Sequence, residues 1–128
     1  MTPSPHTIGR DQSLAKAREA MQRFGVRHLP VLDGGALVGI LTDRDVRLVE
    51  SIADPEETLV EEAMTPEPYV VQADAFLRDV AREMSQHKYG CAVVLERGAV
   101  VGIFTTIDAL RALLEVEHEL TPPSRRFS

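Results

Sequence analysis

Two segments of the sequence each end an apolar stretch with a threonine and place an aspartate three residues later. The pairs are Thr42 with Asp45 and Thr105 with Asp108, and they lie 63 residues apart. Each aspartate falls where a helix is expected to begin, so its two carboxylate oxygens could accept the hydroxyls of a ribose diol. The N–H groups of a first helical turn, together with the helix dipole, favour a nearby phosphate. Both corners are therefore candidate sites for a phosphorylated sugar.

The same spacing also has a purely structural interpretation. A threonine at the N-cap and an acidic residue three positions later form a capping box, in which each side chain accepts from the other residue's backbone N–H. One such corner alone favours the cap. The occurrence of the pair at both corners favours ligand binding, although duplication of a structural cap would give the same pattern.

The two corners belong to an internal repeat. Residues 1–48 align with residues 64–111 without a gap, and more than a dozen aligned positions are identical, including both Met-Thr-Pro starts. Two copies are too few for a solenoid and indicate two halves that cover each other's apolar faces about a pseudo-twofold axis. The boundaries that we predict are 1–52 for repeat 1, 53–63 for an acidic linker, 64–118 for repeat 2 and 119–128 for a disordered tail.

Hydrophobic periodicity predicts the same order of elements in each half: strand, helix, two strands joined by a tight turn, and a second helix. The expected fold class is therefore α+β, with two β-α-β-β-α repeats. In repeat 1 the helical spacing makes Phe24 the last core residue of the first helix, which Gly25 should end. In repeat 2 we expect Asp74 to cap the equivalent helix.

The last helix carries more apolar residues than one core-facing stripe needs. Either this helix contributes a subunit-contact surface, or it packs more fully on its own domain. The apolar residues are Ile107, Ala109, Leu110, Ala112, Leu113, Leu114 and Val116.

The composition describes an ordinary globular chain. Its 128 residues are 44% hydrophobic, and no apolar run approaches the roughly 20 residues of a membrane span. The N-terminus has neither the basic start nor the apolar run of a secretory signal. A net charge of −6 offers no basic field for nucleic acid. We therefore expect a cytoplasmic protein that binds neither nucleic acid nor membranes.

The sequence shows no catalytic or metal-binding constellation. His6, His28, His87 and His118 lack a metal-ligand spacing such as His-Glu-x-x-His, and the single Cys91 has no evident nucleophilic partner. A P-loop is also missing from the sequence. These observations predict a protein that is not an enzyme and needs no metal or cofactor.

Two copies of this element order, each with Gly-apolar-apolar-Thr-x-x-Asp at the last strand-to-helix corner, resemble a tandem pair of CBS (cystathionine-β-synthase-type) domains, or Bateman module. The resemblance covers about residues 1–116. It implies a regulatory module that binds AMP, ADP, ATP, S-adenosylmethionine or a related adenosine-containing ligand and acts as an energy or metabolite sensor. It also implies homodimers and an unidentified effector protein. Family members usually have a short helix before the first Met-Thr-Pro, whereas this sequence starts at Met1.

In that family a pocket combines the Thr-x-x-Asp corner of one repeat with the first strand and the start of the hairpin of the other. The apolar residues would then flank the base and the aspartate would hold the ribose. By position, one site would use Thr105, Ile107 and Asp108 with His6, Val26, Arg27 and His28, and the other would use Thr42, Arg44 and Asp45 with Tyr69, Tyr89 and Gly90.

The two implied sites differ in charge. Arg27 and His28 lie at the rim of the Asp108 site, where the other site has a glycine and a cysteine. Because arginine binds phosphate in a planar fork, the Asp108 site should prefer a nucleotide, whereas the Asp45 site would take a nucleoside or stay empty. The alternative for Arg27 is an ordinary surface residue, and for His28 a hydrogen-bonded residue at a strand start. The rival function is a dimerisation or interaction module with vestigial pockets.

Overall fold

The structure is a computed structural model that describes the backbone of residues 2–3 and 5–120 and the side chains of residues 5–115. Within these residues the chain forms eight strands and five α-helices, and the strands make two four-stranded sheets. The predicted α+β class is confirmed. The predicted tail lies outside the described residues from position 121 onward.

In repeat 1 the first helix has the expected start and end. The Ser13 hydroxyl accepts the backbone N–H of Lys16 at 3.1 Å, and Gly25 ends the helix with a left-handed φ of 63°. The elements of this half are β1 (Thr2–Pro3), β2 (Ile8–Gly9), α1 (Leu14–Phe24), β3 (His28–Asp33), β4 (Ala36–Thr42) and α2 (Asp43–Glu50).

The predicted acidic linker contains a one-turn helix that packs on repeat 1. Its first residue, Val60, is fully buried in the core of that half. The elements that follow α2 are α3 (Val60–Ala63), β5 (Thr65–Pro66), β6 (Val70–Gln72), α4 (Leu77–His87), β7 (Cys91–Glu96), β8 (Ala99–Thr105) and α5 (Thr106–Leu120).

Two of the sequence expectations for the helices are wrong. Asp74 does not cap α4: the N–H of Ala75 donates to the carbonyl of Gln72 in a turn before the helix, and the N-cap position is Phe76, so the helix begins at Leu77. Phe24 is not a core residue: 42% of its surface is exposed. It is the last residue of α1, and its ring stacks on His6 instead of packing in the core.

The first strand of each half completes the sheet of the other half. The strand orders are β1-β8-β7-β6 and β2-β3-β4-β5. Thr2 lies opposite Ile103 in one sheet and Thr65 lies opposite Ile40 in the other, so both registers keep the 63-residue offset of the repeat. This exchange makes the two halves pseudo-twofold equivalents and joins them into one unit.

The core is divided into one cluster for each half and one between the sheets. Nine buried residues, including Leu14 and Val60, form the cluster of repeat 1. Repeat 2 has three, Val80, Met84 and Ala92, and the same-position leucine of its first helix, Leu77, is 45% exposed. Full burial of a leucine side chain contributes about 1.5–3 kcal/mol, so the first half has the better-covered core.

Candidate functional site

Both Thr-x-x-Asp corners are capping boxes at helix starts. At the corner between β4 and α2, the N–H of Thr42 donates to Asp45 Oδ2 at 3.0 Å. The N–H of Asp45 donates back to Thr42 Oγ1 at 3.1 Å. At the corner between β8 and α5, the same two bonds join Thr105 and Asp108 at 2.8 and 3.2 Å. The structural interpretation of the spacing therefore holds at both corners.

A capping role leaves these carboxylates able to bind a ligand. A carboxylate oxygen can accept more than one hydrogen bond, and the dipole of each helix favours an anion near its first turn. At Asp108, burial alone would raise the pKa, but the hydrogen bonds from the N–H and hydroxyl of Thr105 hold the pKa below its ordinary value. Asp108 is therefore an anion at neutral pH, as a ribose acceptor must be.

A cavity of about 700 Å³ opens beside the Asp108 corner, between the two halves. We call it the Asp108-side cavity. Residues from the end of α1 to the start of β3 form one wall, and the residues around the start of α5 form the other. The lining residues are Pro5, His6, Phe24, Gly25, Val26, Arg27, His28, Gly90, Ile103, Thr105, Thr106 and Ile107.

The cavity brings together most of the residues that the resemblance assigned to this site. His6, Val26, Arg27 and His28 are in the first wall, and Thr105 and Ile107 are in the second. Asp108 lies immediately behind the lining, bonded to Thr105. Gly90, which the resemblance assigned to the other site, also lines this cavity.

The rim of the Asp108-side cavity carries a permanent cation and a neutral imidazole. Arg27 is exposed, and its carbonyl accepts the N–H of Asp43 at 3.0 Å. Burial lowers the pKa of His28, and Asp43 only partly offsets this effect, so the ring is uncharged at neutral pH. The positive charge at this rim therefore comes from Arg27.

Sequence reasoning missed Phe24 as a wall of this cavity. Its ring stacks on His6 with centroids 3.6 Å apart and planes inclined by 11°, and the Arg23 guanidinium lies 5.5 Å from its centroid. Helical periodicity assigned the side chain to the core. The sequence does contain one indication of this role. Phe24 directly precedes Gly25, which ends the helix, and a large side chain at such a position can lie over the loop that follows.

By the 63-residue offset of the repeat, the position equivalent to this cavity lies at the Asp45 corner, and we call it the Asp45-side cleft. Tyr69 and Tyr89 stack there with centroids 4.8 Å apart, and His87 stacks on Tyr89 at 5.3 Å. Burial and the neighbouring Glu83 raise the pKa of Tyr69, so its hydroxyl stays neutral. The structure thus brings Tyr69 and Tyr89 together as the resemblance implied, but in contact with each other.

In the part of the chain that the structure describes, no three His, Cys, Asp or Glu side chains meet as a metal site would require. Among the helices of that part, none has the length and apolar content to cross a bilayer. Burial raises the pKa of the half-buried Cys91, which keeps its thiol protonated.

Two strand-exchanged halves with a cavity between them define a tandem domain pair. The CBS domain family model matches residues 1–51 and 60–115. The chain therefore belongs to the CBS domain family, which confirms the resemblance seen in the sequence.

Curated relatives include both short and long proteins. The chain is 33% identical over 103 residues to an inosine-5'-monophosphate dehydrogenase of Korarchaeum cryptofilum, covering 80% of this chain but 21% of that enzyme. It is 30% identical over 104 residues to the CBS domain-containing protein YhcV of Bacillus subtilis, covering 80% of this chain and 74% of that protein. The chain thus spans about a fifth of the dehydrogenase and about three quarters of YhcV.

Solved structures of similar proteins share the whole fold. AcuB from Vibrio cholerae is 33% identical with a TM-score of 0.77, covering 95% of this chain and 94% of that one. CBSX2, a protein of Arabidopsis thaliana, was solved with AMP and matches at 29% identity and TM-score 0.74, covering 91% and 94%. The CBS domain pair of protein MJ0100 was solved with 5'-methylthioadenosine and S-adenosyl-L-methionine and matches at 26% identity and TM-score 0.77, covering 90% and 93%.

Proposed function

We propose that this chain is a non-catalytic regulatory module that binds an adenosine-containing ligand in the Asp108-side cavity. The observation that carries the proposal is the cavity itself, which has the start of α5 on one wall, with the capped Asp108 next to that wall, and Arg27 on the other. A ligand held there contacts both halves and can report its presence by shifting them. The adenosine-containing ligands of CBSX2 and MJ0100 support this ligand class.

Each part of a nucleotide has a matching group in the cavity. The Asp108 carboxylate would accept the ribose hydroxyls, and the positive end of the α5 dipole would favour a phosphate near the start of that helix. Arg27 would bind the same phosphate through two parallel N–H donors. The apolar surfaces of Val26 and Ile107 and the aromatic ring of Phe24 would flank the base.

Calorimetric titration of AMP and ATP into the wild type and two aspartate variants tests the site. Asp108→Ala and Asp45→Ala remove the same capping hydrogen bond from α5 and α2, so each controls for the structural cost of the other. We expect Asp108→Ala to weaken binding at least tenfold and Asp45→Ala to leave it nearly unchanged. Equal losses in the two variants would refute the assignment.

The phosphate contact can be separated from the rest of the site. Replacing Arg27 by Gln should weaken AMP binding about tenfold or more, because a hydrogen bond to a charged group contributes about 1.5–3 kcal/mol. Adenosine, which has no phosphate, should bind both proteins alike. If adenosine and AMP lost affinity in parallel, Arg27 would be acting on the fold and not on the phosphate.

A second candidate function, self-association, is favoured by the outer face of α5. Ile107, Leu110, Leu113 and Leu114 are each between 55% and 67% exposed. A run of exposed apolar side chains on one helix is typical of an interface, so we propose that the chain pairs as a homodimer through this face. Light scattering should give twice the chain mass for the wild type and the single mass for Leu110→Glu/Leu114→Glu, and a monomeric wild type would exclude this function.

A further inference from the structure

The Asp108-side cavity and the Asp45-side cleft are equivalent positions of one repeated framework. The strand exchange keeps the 63-residue offset in both sheets, and both corners have the same pair of capping hydrogen bonds. Positions 6, 24 and 26 in one half correspond to positions 69, 87 and 89 in the other. Any difference between the two spaces therefore arises from side chains.

In the Asp108-side cavity the aromatic contact leaves the interior open. The His6 ring stacks on Phe24, and neither ring stacks on position 26, which is a valine. Val26 lines the cavity with a short side chain, and about 700 Å³ of space stays available in front of it.

In the Asp45-side cleft the residue equivalent to Val26 is Tyr89, and this residue takes part in the aromatic contacts. Tyr89 stacks on Tyr69 on one side and on His87 on the other, so three rings form a continuous column. Glu83 pairs with His87 at 3.3 Å and fixes one end of the column. Tyr89, at the position equivalent to Val26, thus stacks on both Tyr69 and His87, whereas their counterparts His6 and Phe24 stack directly on each other.

We infer that Tyr89 is an internal plug, and that the Asp45-side cleft is a second adenosine-binding site kept closed by the chain's own aromatic ring. This inference rests on the proposed function of the Asp108-side cavity. The corner itself is complete, since Thr42 and Asp45 have the same geometry as their counterparts. A base that entered the cleft would have to displace the Tyr89 ring. Separating one stacked pair of rings lowers the apparent affinity by up to roughly tenfold, and the steric overlap between the base and the ring lowers it further.

The plug can be removed by giving position 89 the residue of the open cavity. We expect calorimetric titration of the wild type with AMP or with adenosine to give one bound molecule per chain. For at least one of these two compounds, Tyr89→Val should bind two molecules per chain. Tyr89→Phe keeps the ring in the cleft and should bind one. Binding of a single molecule by Tyr89→Val, or of two by the wild type, overturns the inference.

The reciprocal change tests the same idea in the opposite direction and does not depend on the folding of Tyr89→Val. Val26→Tyr should close the Asp108-side cavity and reduce binding of AMP more than tenfold, with the circular dichroism spectrum unchanged. Undiminished binding by folded Val26→Tyr contradicts the plug. If neither the wild type nor any variant binds AMP or adenosine, the proposed function is refuted together with the plug. If the wild type and Tyr89→Val each bind one molecule, only the plug is refuted.

Discussion

The two halves of this chain have the same backbone plan but differ in how completely they fill their space. The cluster of repeat 1 contains nine buried residues, including one from the linker, and its residues 24–28 line an open cavity. Among the side chains that the structure describes, the cluster of repeat 2 contains three buried residues, and the equivalent positions of this half hold stacked rings. Duplication thus preserved hydrogen-bonded features such as registers and caps, while the side chains that cover a core or fill a cleft diverged.

The largest expected difference between the halves lies in their cores. Leu14 is fully buried, and the equivalent Leu77 is 45% exposed. Leu14→Ala should lower the free energy of unfolding by about 2–5 kcal/mol, whereas Leu77→Ala should lower it by about 1 kcal/mol or less. Urea denaturation of both variants measures the difference, and similar losses would show that the two cores are equally well covered.

The contact of the second Met-Thr-Pro segment with repeat 1 should be the next most sensitive feature. A Cβ at Gly39 would collide with the Met64 side chain and approach the Thr65 carbonyl oxygen at 3.0 Å. Gly39→Ala should therefore lower the free energy of unfolding by about 1–3 kcal/mol.

Gly90 provides the control for this substitution, because a Cβ there would meet nothing within 4 Å. Gly90→Ala should be neutral or slightly stabilising, since it restricts only the unfolded chain. Equal thermal shifts for the two alanine variants would argue against close packing at Gly39.

The two capping boxes should respond alike, because their geometry is alike. Thr42→Ala and Thr105→Ala each remove a side-chain acceptor at a helix start, which costs about 1 kcal/mol. Thr→Ser at either position keeps the acceptor and should cost much less. Thermal melting of the four variants checks this, and a large effect at only one corner would show that the other box is weaker in solution than its bond lengths indicate.

The smallest expected difference is in the response to pH. Burial holds the pKa of His28 below its ordinary value of 6.5, so the unfolded chain takes up a proton at a pH where the folded chain does not. The free energy of unfolding should consequently fall as the pH drops below about 6.5, until the pH passes the folded pKa. His28→Gln should remove this component from a series of melts between pH 7 and 5.

The equivalent residue in repeat 2 is the control for this experiment. Cys91 is uncharged throughout the range, since burial raises the pKa of its thiol. Cys91→Ser should therefore shift the stability curve without changing its slope against pH. Parallel curves for wild type and His28→Gln would mean that another group causes the acid sensitivity.

The sequence was sufficient to predict the features that depend on local patterns. Short apolar runs on both sides of glycine-containing turns identified both hairpins, and the corners were found from Thr-x-x-Asp alone. The strand exchange was not predictable in this way, because Thr2–Pro3 and Thr65–Pro66 are two residues long and their partners lie in the other half. The pairing of strands depends on tertiary context.

The positions of the candidate site residues were predictable from the sequence, but the contacts between their side chains were not. Thirteen positions around two corners followed from the resemblance and the repeat, and most of those assigned to the Asp108 site line one cavity. The Phe24–His6 and Tyr69–Tyr89 contacts could not be read from the sequence, because they depend on which of two neighbours each ring faces. Whether a cleft is open or filled is thus a question of side-chain packing.

The strand exchange has a consequence for the order in which the protein folds. Thr65 pairs with Ile40 across roughly 25 residues of chain, whereas Thr2 pairs with Ile103 across roughly 100. Closing the longer loop costs more chain entropy, by about 1.2 kcal/mol for a fourfold difference in length. We therefore expect the sheet of repeat 1 to be completed before β1 pairs with β8.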